Sequence, residues 1–135
     1  GRISCLFMNR REACHLAGLS LGSEPRAAAK ALASMGLRAG VITGGGMPAL
    51  CFGQALLFEI APPPARRIAD VTGAGDALAG ATAAALMRGL SLPESVREGM
   101  AAAMLTVESE EAAPATDDAA LRVALARVPQ PRMLT

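Results

Sequence analysis

The stretch from Ile68 to Ala77, Ile-Ala-Asp-Val-Thr-Gly-Ala-Gly-Asp-Ala, combines features that could do chemistry on a phosphate. Gly73 and Gly75 sit one residue apart, so the backbone can turn tightly and lie bare against a ligand. The turn runs into an alanine-rich helical pattern, and the free N–H groups and dipole at a helix start favour an anion. Asp76 falls in the first turn of that helix, inside the same anion site. A carboxylate beside a phosphate repels it, so a site built only for binding would not carry one there. A site that must take a proton from a hydroxyl attacking the phosphate would.

Several elements must position this stretch. Ile3 to Met8 is a short apolar run, long enough for a buried strand and too short for a helix. Asn9-Arg10-Arg11-Glu12 opens a helix to about Ala17, with Asn9 as N-cap, Glu12 at the third helical position of a capping box, and Gly18 as the stop. Leu19 to Glu24 reads as loop, Arg26 to Met35 as a helix with Pro25 in its first turn, and Gly36 as its end. Leu37 to Thr43 reads as a strand running into Gly44-Gly45-Gly46. That order of strand, helix, strand and glycine-rich loop marks an α/β sheet with ligands at the strand ends. Ala49–Phe52 and Gln54–Ile60 read as an antiparallel pair turning at Gly53, and Pro62-Pro63-Pro64 as a rigid extended connector. Helices are expected over Ala74–Arg88, over Pro93 to about Glu108 behind a Ser91 cap, and over Asp117 to about Val128 behind a Thr116 cap. Ser109 to Ala115 reads as an acidic loop, and Pro129 onward as a tail. There is no internal repeat, and residues 1–135 are expected to form one domain.

Composition excludes several functions. The 135 residues are 52% apolar and 19% charged, so a core can form and disorder is not expected. With no Trp or Tyr and only three Phe, that core must be built from Ala, Leu, Val, Ile and Met. A net charge of +1 without basic runs or aromatic ladders gives no nucleic-acid partner. No stretch approaches the ~20 apolar residues that span a bilayer, so no membrane partner is expected. Cys5, Cys14 and Cys51 match neither a CxxC nor a zinc spacing and read as buried reduced thiols, which points to a cytoplasmic location. His15, the one histidine, reads as a partly buried structural residue. The start at Gly1-Arg2-Ile3, with no initiator Met, reads as a chain that begins mid-fold.

Two glycine fingerprints fail: there is no Gly-Lys pair for a Walker A loop, and Leu78 stands where a dinucleotide motif needs glycine. Asp70-Val71-Thr72-Gly73-Ala74-Gly75-Asp76-Ala77 instead resembles the D-T-x-G-A-G-D-x signature of the ribokinase, or PfkB, family of carbohydrate and nucleoside kinases. Asn9-Arg10-Arg11-Glu12 resembles the family's upstream N-x-x-E motif, Val41-Ile42-Thr43-Gly44-Gly45 its strand and T-x-G turn, and Arg97 to Pro114 its alanine-rich helix and loop over the adenine. The resemblance covers nearly the whole chain but only the C-terminal half of a family member. It implies an α/β fold, the nucleotide-binding portion of a ribokinase-like three-layer α/β/α architecture. Pro48 departs from the pattern by replacing a glycine five residues after Thr43, which removes one N–H, and Val71 replaces the common Thr.

The resemblance also implies roles. Asp76 would accept the proton of the acceptor hydroxyl, and Gly73, Ala74 and Gly75 would form the anion hole for the transferring phosphoryl group. Thr43, Gly45 and Met100 would contact ATP. Asn9 and Glu12 would hold Mg²⁺ through water, and Asp70 and Thr72 would ligate the monovalent cation, K⁺, used by many relatives. Met104-Leu105-Thr106-Val107-Glu108-Ser109 resembles a stretch of pseudouridine kinase-like members, which makes phosphorylation of a nucleoside hydroxyl the leading expectation among sugar and nucleoside substrates. The competing expectation is a truncated, non-catalytic remnant that keeps a nucleotide pocket or only a scaffold. Without an N-terminal half the sheet would leave an edge uncovered, so a homodimer or pairing with that half is expected.

Overall fold

The computed structural model describes residues 5–44, 46–63, 73–108 and 118–134. They fall into two compact units, Gly1–Ala61 with Pro131–Thr135, and Pro62–Gln130.

The first unit starts with β1 (Leu6–Asn9), whose last residue already caps α1 (Arg10–Ala17). α2 (Pro25–Ser34) follows and returns the chain to β2 (Ala39–Gly44), which lies parallel to β1. The remaining strands, β3 (Met47–Gly53), β4 (Leu56–Ile60) and β5 (Arg132–Met133), are antiparallel, giving the order β1-β2-β3-β4-β5. Side chains alternate across a strand. One face carries Met8, Ile42, Leu50 and Phe52, and these pack with Ala13 of α1 and Ala28, Ala29 and Leu32 of α2. Alanines on the helices let them approach closely, and Gly40 leaves room for the Phe52 ring, which a Cβ would meet at 2.5 Å. Val41, Cys51, Phe58 and Ile60, at alternate positions, are also buried.

Two local features depart from the sequence expectation. The β3–β4 turn is made by Gln54 and Ala55, at φ 53° and 61°, while Gly53 still pairs with Leu56. Two residues with positive φ form the tight turn that matches strand twist. The glycine invited a turn one residue too early, because the left-handed positions fall on residues that rarely adopt them. The last residues, expected as a tail, form β5: Arg132 Nε donates to Glu59 Oε1 at 2.7 Å, Leu134 N–H donates to Leu57 O at 2.8 Å, and Leu134 packs against the core. Two paired residues leave no periodicity to read.

Pro48 sits where the β2–β3 register shifts: Ile42 pairs with Leu50 and Gly44 with Met47, so Pro48 and Ala49 oppose Thr43 alone. Pairing with β4 begins at Ala49. A residue with no N–H to donate is tolerated at such a bulge.

The second unit contains α3 (Ala74–Met87), α4 (Leu92–Glu108) and α5 (Asp118–Arg127). The expected Thr116 cap and the 109–115 loop lie outside the described residues. Ser91 and Glu94 hydrogen-bond reciprocally at 3.3 Å ahead of α4, the capping-box arrangement. α3 and α4 touch at Gly99, where an added Cβ would strike Thr82 Oγ1 and lie 2.7 Å from Leu78 O. Arg97 Nη2 donates to Leu125 O at 3.1 Å and Val128 O at 3.0 Å, satisfying carbonyls at the C-terminal end of α5. An Arg127–Glu108 ion pair at 2.9 Å links the same two helices.

Two substitutions test these packing rules. Gly99→Ala gains about 1 kcal/mol of helix propensity. Overpacking against a backbone carbonyl costs about 1–3 kcal/mol, so the net expectation is a lower melting temperature. Ala55→Gly removes a left-handed alanine worth about 1–2 kcal/mol and adds roughly 0.4–1 kcal/mol of unfolded-chain entropy. The expected net is a small rise in denaturant midpoint; a fall would reject the turn assignment.

Candidate functional site

In the first unit the candidate residues gather at the carboxyl ends of the parallel strands β1 and β2, the end at which open α/β sheets place ligands. Asn9 ends β1 and pairs in register with Thr43 of β2. Asn9 Oδ1 accepts from the Glu12 N–H at 2.8 Å, and Asn9 N–H donates to Glu12 Oε1 at 3.0 Å. This is the expected capping box, and it fixes both side chains at the strand end. It occupies Glu12 Oε1, and among the described residues no partner is found for Oε2 of this exposed side chain. Among the described residues no three His, Cys, Asp or Glu side chains gather as a metal cage. A single free carboxylate oxygen suits Mg²⁺, which keeps most of its waters, better than a dehydrated ion. Thr43 Oγ1 reaches Met8 O at a long 3.4 Å. Gly45 lies outside the described residues.

Sequence reasoning assigned no role to Arg10, yet its guanidinium lies over Gly44. A Cβ on Gly44 would meet Met47 Cβ at 3.1 Å, Arg10 Nε at 3.2 Å and Arg10 Nη2 at 3.3 Å. The available signal was a basic residue at the first position of a helix, where the dipole disfavours it.

In the second unit Gly73 is the N-cap of α3 with φ 85°, a left-handed conformation that suits glycine. It makes no side-chain cap bond. The first helical hydrogen bond here is Ala77 N–H to Gly73 O at 2.9 Å, so the N–H groups of Ala74, Gly75 and Asp76 lie ahead of it. A Cβ on Gly75 would meet nothing within 4 Å, so the approach to this helix start is open. Asp76 is exposed in the first turn. Met100 is 8% exposed in α4, next to the Gly99 contact. Asp70 and Thr72 lie outside the described residues. The structure thus gathers Asn9, Glu12 and Thr43 within one unit, and Gly73, Ala74, Gly75, Asp76 and Met100 within the other. A groove of about 490 Å³ between α4 and α5, lined by Leu105, Val123, Ala124 and the Glu108–Arg127 pair, contains none of the candidates.

His15 is exposed, which corrects the expectation of a partly buried residue. Cys14 and Cys51 are buried and Cys5 partly so, all as free thiols. Burial pushes the Cys5 thiol up to about 11. Burial pushes Cys51 up further, with a smaller contribution from Cys5. Both stay protonated and unreactive near neutral pH.

Comparison with known proteins agrees with this geometry. Solved carbohydrate kinases share the α/β arrangement of sheet and helices. One from Agrobacterium tumefaciens is 37% identical with a TM-score of 0.73 over 98% of this chain and 41% of that one. The ribokinase of Arabidopsis thaliana, solved with ribose and ATP, is 27% identical with a TM-score of 0.77 over 91% of this chain and 41% of that one. The cytidine kinase of Thermococcus kodakarensis is 36% identical over 100 residues, 73% of this chain and 35% of that protein. The family model for pfkB family carbohydrate kinases matches residues 1–119, and the chain belongs to that family. It spans between a third and a half of the length of these relatives.

The thiols supply a pH test. An unfolded thiol loses its proton near pH 8.5–9, and the folded chain holds it longer. The resulting stabilisation is whole below about pH 9 and is lost as pH rises through about 11 for Cys5. Urea midpoints measured between about pH 8 and 11 should fall less steeply for the Cys5→Ala/Cys51→Ala double variant than for the native chain. Parallel curves would reject the assignment.

Proposed function

We propose that these residues form the C-terminal, ATP-binding and catalytic half of an ATP-dependent kinase that phosphorylates a hydroxyl of a sugar or nucleoside. The start of α3 carries the reading: a glycine cap without a side chain, N–H groups behind it for which no partner is found among the described residues, and Asp76 exposed in the same turn. In this mechanism Asp76 takes the proton of the acceptor hydroxyl as its oxygen forms a bond to the γ-phosphorus of ATP. The bond from that phosphorus to the bridging oxygen breaks, and ADP leaves. The N–H groups of Gly73, Ala74 and Gly75 stabilise charge on the phosphoryl oxygens in transit. Thr43, Gly45 and Met100 hold the nucleotide.

Mg²⁺, when bound, neutralises phosphate charge; Glu12 and Asn9 would hold it through water, consistent with the one free oxygen the capping box leaves. Asp70 and Thr72 would ligate K⁺. A nucleoside acceptor is the preferred class, supported by the similarity to a cytidine kinase. Pseudouridine is the leading candidate, supported by Met104 to Ser109. The site of action would be the cytoplasm, and the partner a second copy or the N-terminal half of the kinase.

ADP release should be measured with ATP, Mg²⁺ and K⁺ against pseudouridine, cytidine and ribose. Asp76→Asn should lower turnover by about 10²–10⁴-fold while ATP affinity holds or improves, because a like charge has left the phosphate site. A large loss of ATP affinity would make Asp76 structural. No ATP binding by calorimetry would reject the reading.

A further inference from the structure

Arg10 has no established task in the fold. It occupies the first position of α1, where a cation opposes the helix dipole. It is exposed, and among the described residues no hydrogen bond or ion pair is found for it. Yet its guanidinium lies on the backbone at Gly44, close enough that a Cβ there would sit 3.2 Å from Nε and 3.3 Å from Nη2. Gly44 does not occupy the left-handed region, so its backbone does not demand glycine. A Cβ there would also lie 3.1 Å from Met47 Cβ, so the bare backbone leaves room for both neighbours and gives the guanidinium a seat. Asn9 and Thr43, in register beside it, bring the seat to the carboxyl ends of β1 and β2. The nearby acid, Glu12, is held by the Asn9 N–H.

We propose that Arg10, seated on Gly44, is a phosphate-binding residue that grips the phosphate tail of the nucleotide. The proposal rests on the nucleotide-binding reading above. A guanidinium offers a planar fork of donors that matches phosphate oxygens, and a lysine does not reproduce that geometry. The seat holds the fork in place before the ligand arrives, which lowers the ordering cost of binding.

Calorimetry on the full chain with ATP, AMP and adenosine tests this. Arg10→Gln should weaken ATP roughly tenfold or more, a loss expected for one charge-assisted contact. It should leave adenosine binding unchanged, reduce the salt dependence of ATP binding, and keep the melting temperature. Arg10→Lys should recover part of the affinity. Gly44→Val, which fills the seat, should weaken ATP in the native chain but add little to Arg10→Gln. If the native chain binds ATP and Arg10→Gln binds it equally, or loses adenosine in the same proportion, the assignment of Arg10 falls and nucleotide binding stands. If the native chain binds no ATP, both fall.

Discussion

A helix begins with N–H groups that its own carbonyls cannot reach, and how each helix start settles them organises this molecule. At α1 the debt is met by side chains: Asn9 accepts from Glu12 N–H, and Glu12 returns the bond to Asn9 N–H. At α3 the cap is Gly73, which has no side chain to offer. Among the described residues no partner is found for the amides of Ala74, Gly75 and Asp76, and the left-handed glycine holds the turn that precedes them. One start is closed and rigid; the other is open. A phosphate site needs the open kind, and a strand end that must hold its neighbours in register is served by the closed kind.

Glycine has two separate uses in the chain. Gly73 is needed for its backbone conformation. Gly40 and Gly99 are needed for room, under Phe52 and Thr82 respectively, and Gly44 lies tight against Met47 and Arg10. The second use follows from a composition almost without large aromatics. Small side chains bring helices close to each other and to the sheet, so contact points fall on backbone rather than on side-chain tips. Thr82 shows the cost: its buried hydroxyl lies close against Gly99, and no hydrogen-bond partner is found for it among the described residues. A buried hydroxyl left in this way is tolerable only where close packing of two helices compensates.

Local signals in the sequence were legible wherever one residue type answers one backbone problem. Asn9 with Glu12, Ser91 with Glu94, and Gly18 at the end of α1 all stand where their chemistry requires. The α/β class followed from the order of these units. The β3–β4 turn was displaced because Gln54 and Ala55 take a conformation that their types do not advertise. β5 escaped because its two residues are held by pairing with distant β4, through Glu59 and Leu57, and carry no pattern of their own. His15 misled because its apolar neighbours in sequence, Cys14 and Leu16, lie around a helix from it, and only Cys14 turns inward. Arg10 was unreadable for a further reason. Its placement depends on an absence at residue 44, and an absence gains meaning only when the neighbour that fills it is known.

The distribution of charge completes the argument. A protein that handles phosphate must carry cations and donors to bind it, and must ration its carboxylates, since each one nearby repels the ligand. In the first unit the strand-end acid, Glu12, gives one oxygen to the Asn9 N–H, and Arg10 stands two residues before it in the chain. In the second, Glu108 is paired with Arg127 and Glu98 with Arg88. Asp76 is left in the first turn of a helix whose cap offers no competing acceptor. Its position is the one at which a negative charge is favoured by the helix and opposed by a bound phosphate. Under the kinase reading proposed above, those opposing tendencies suit a carboxylate that receives a proton as the phosphate moves.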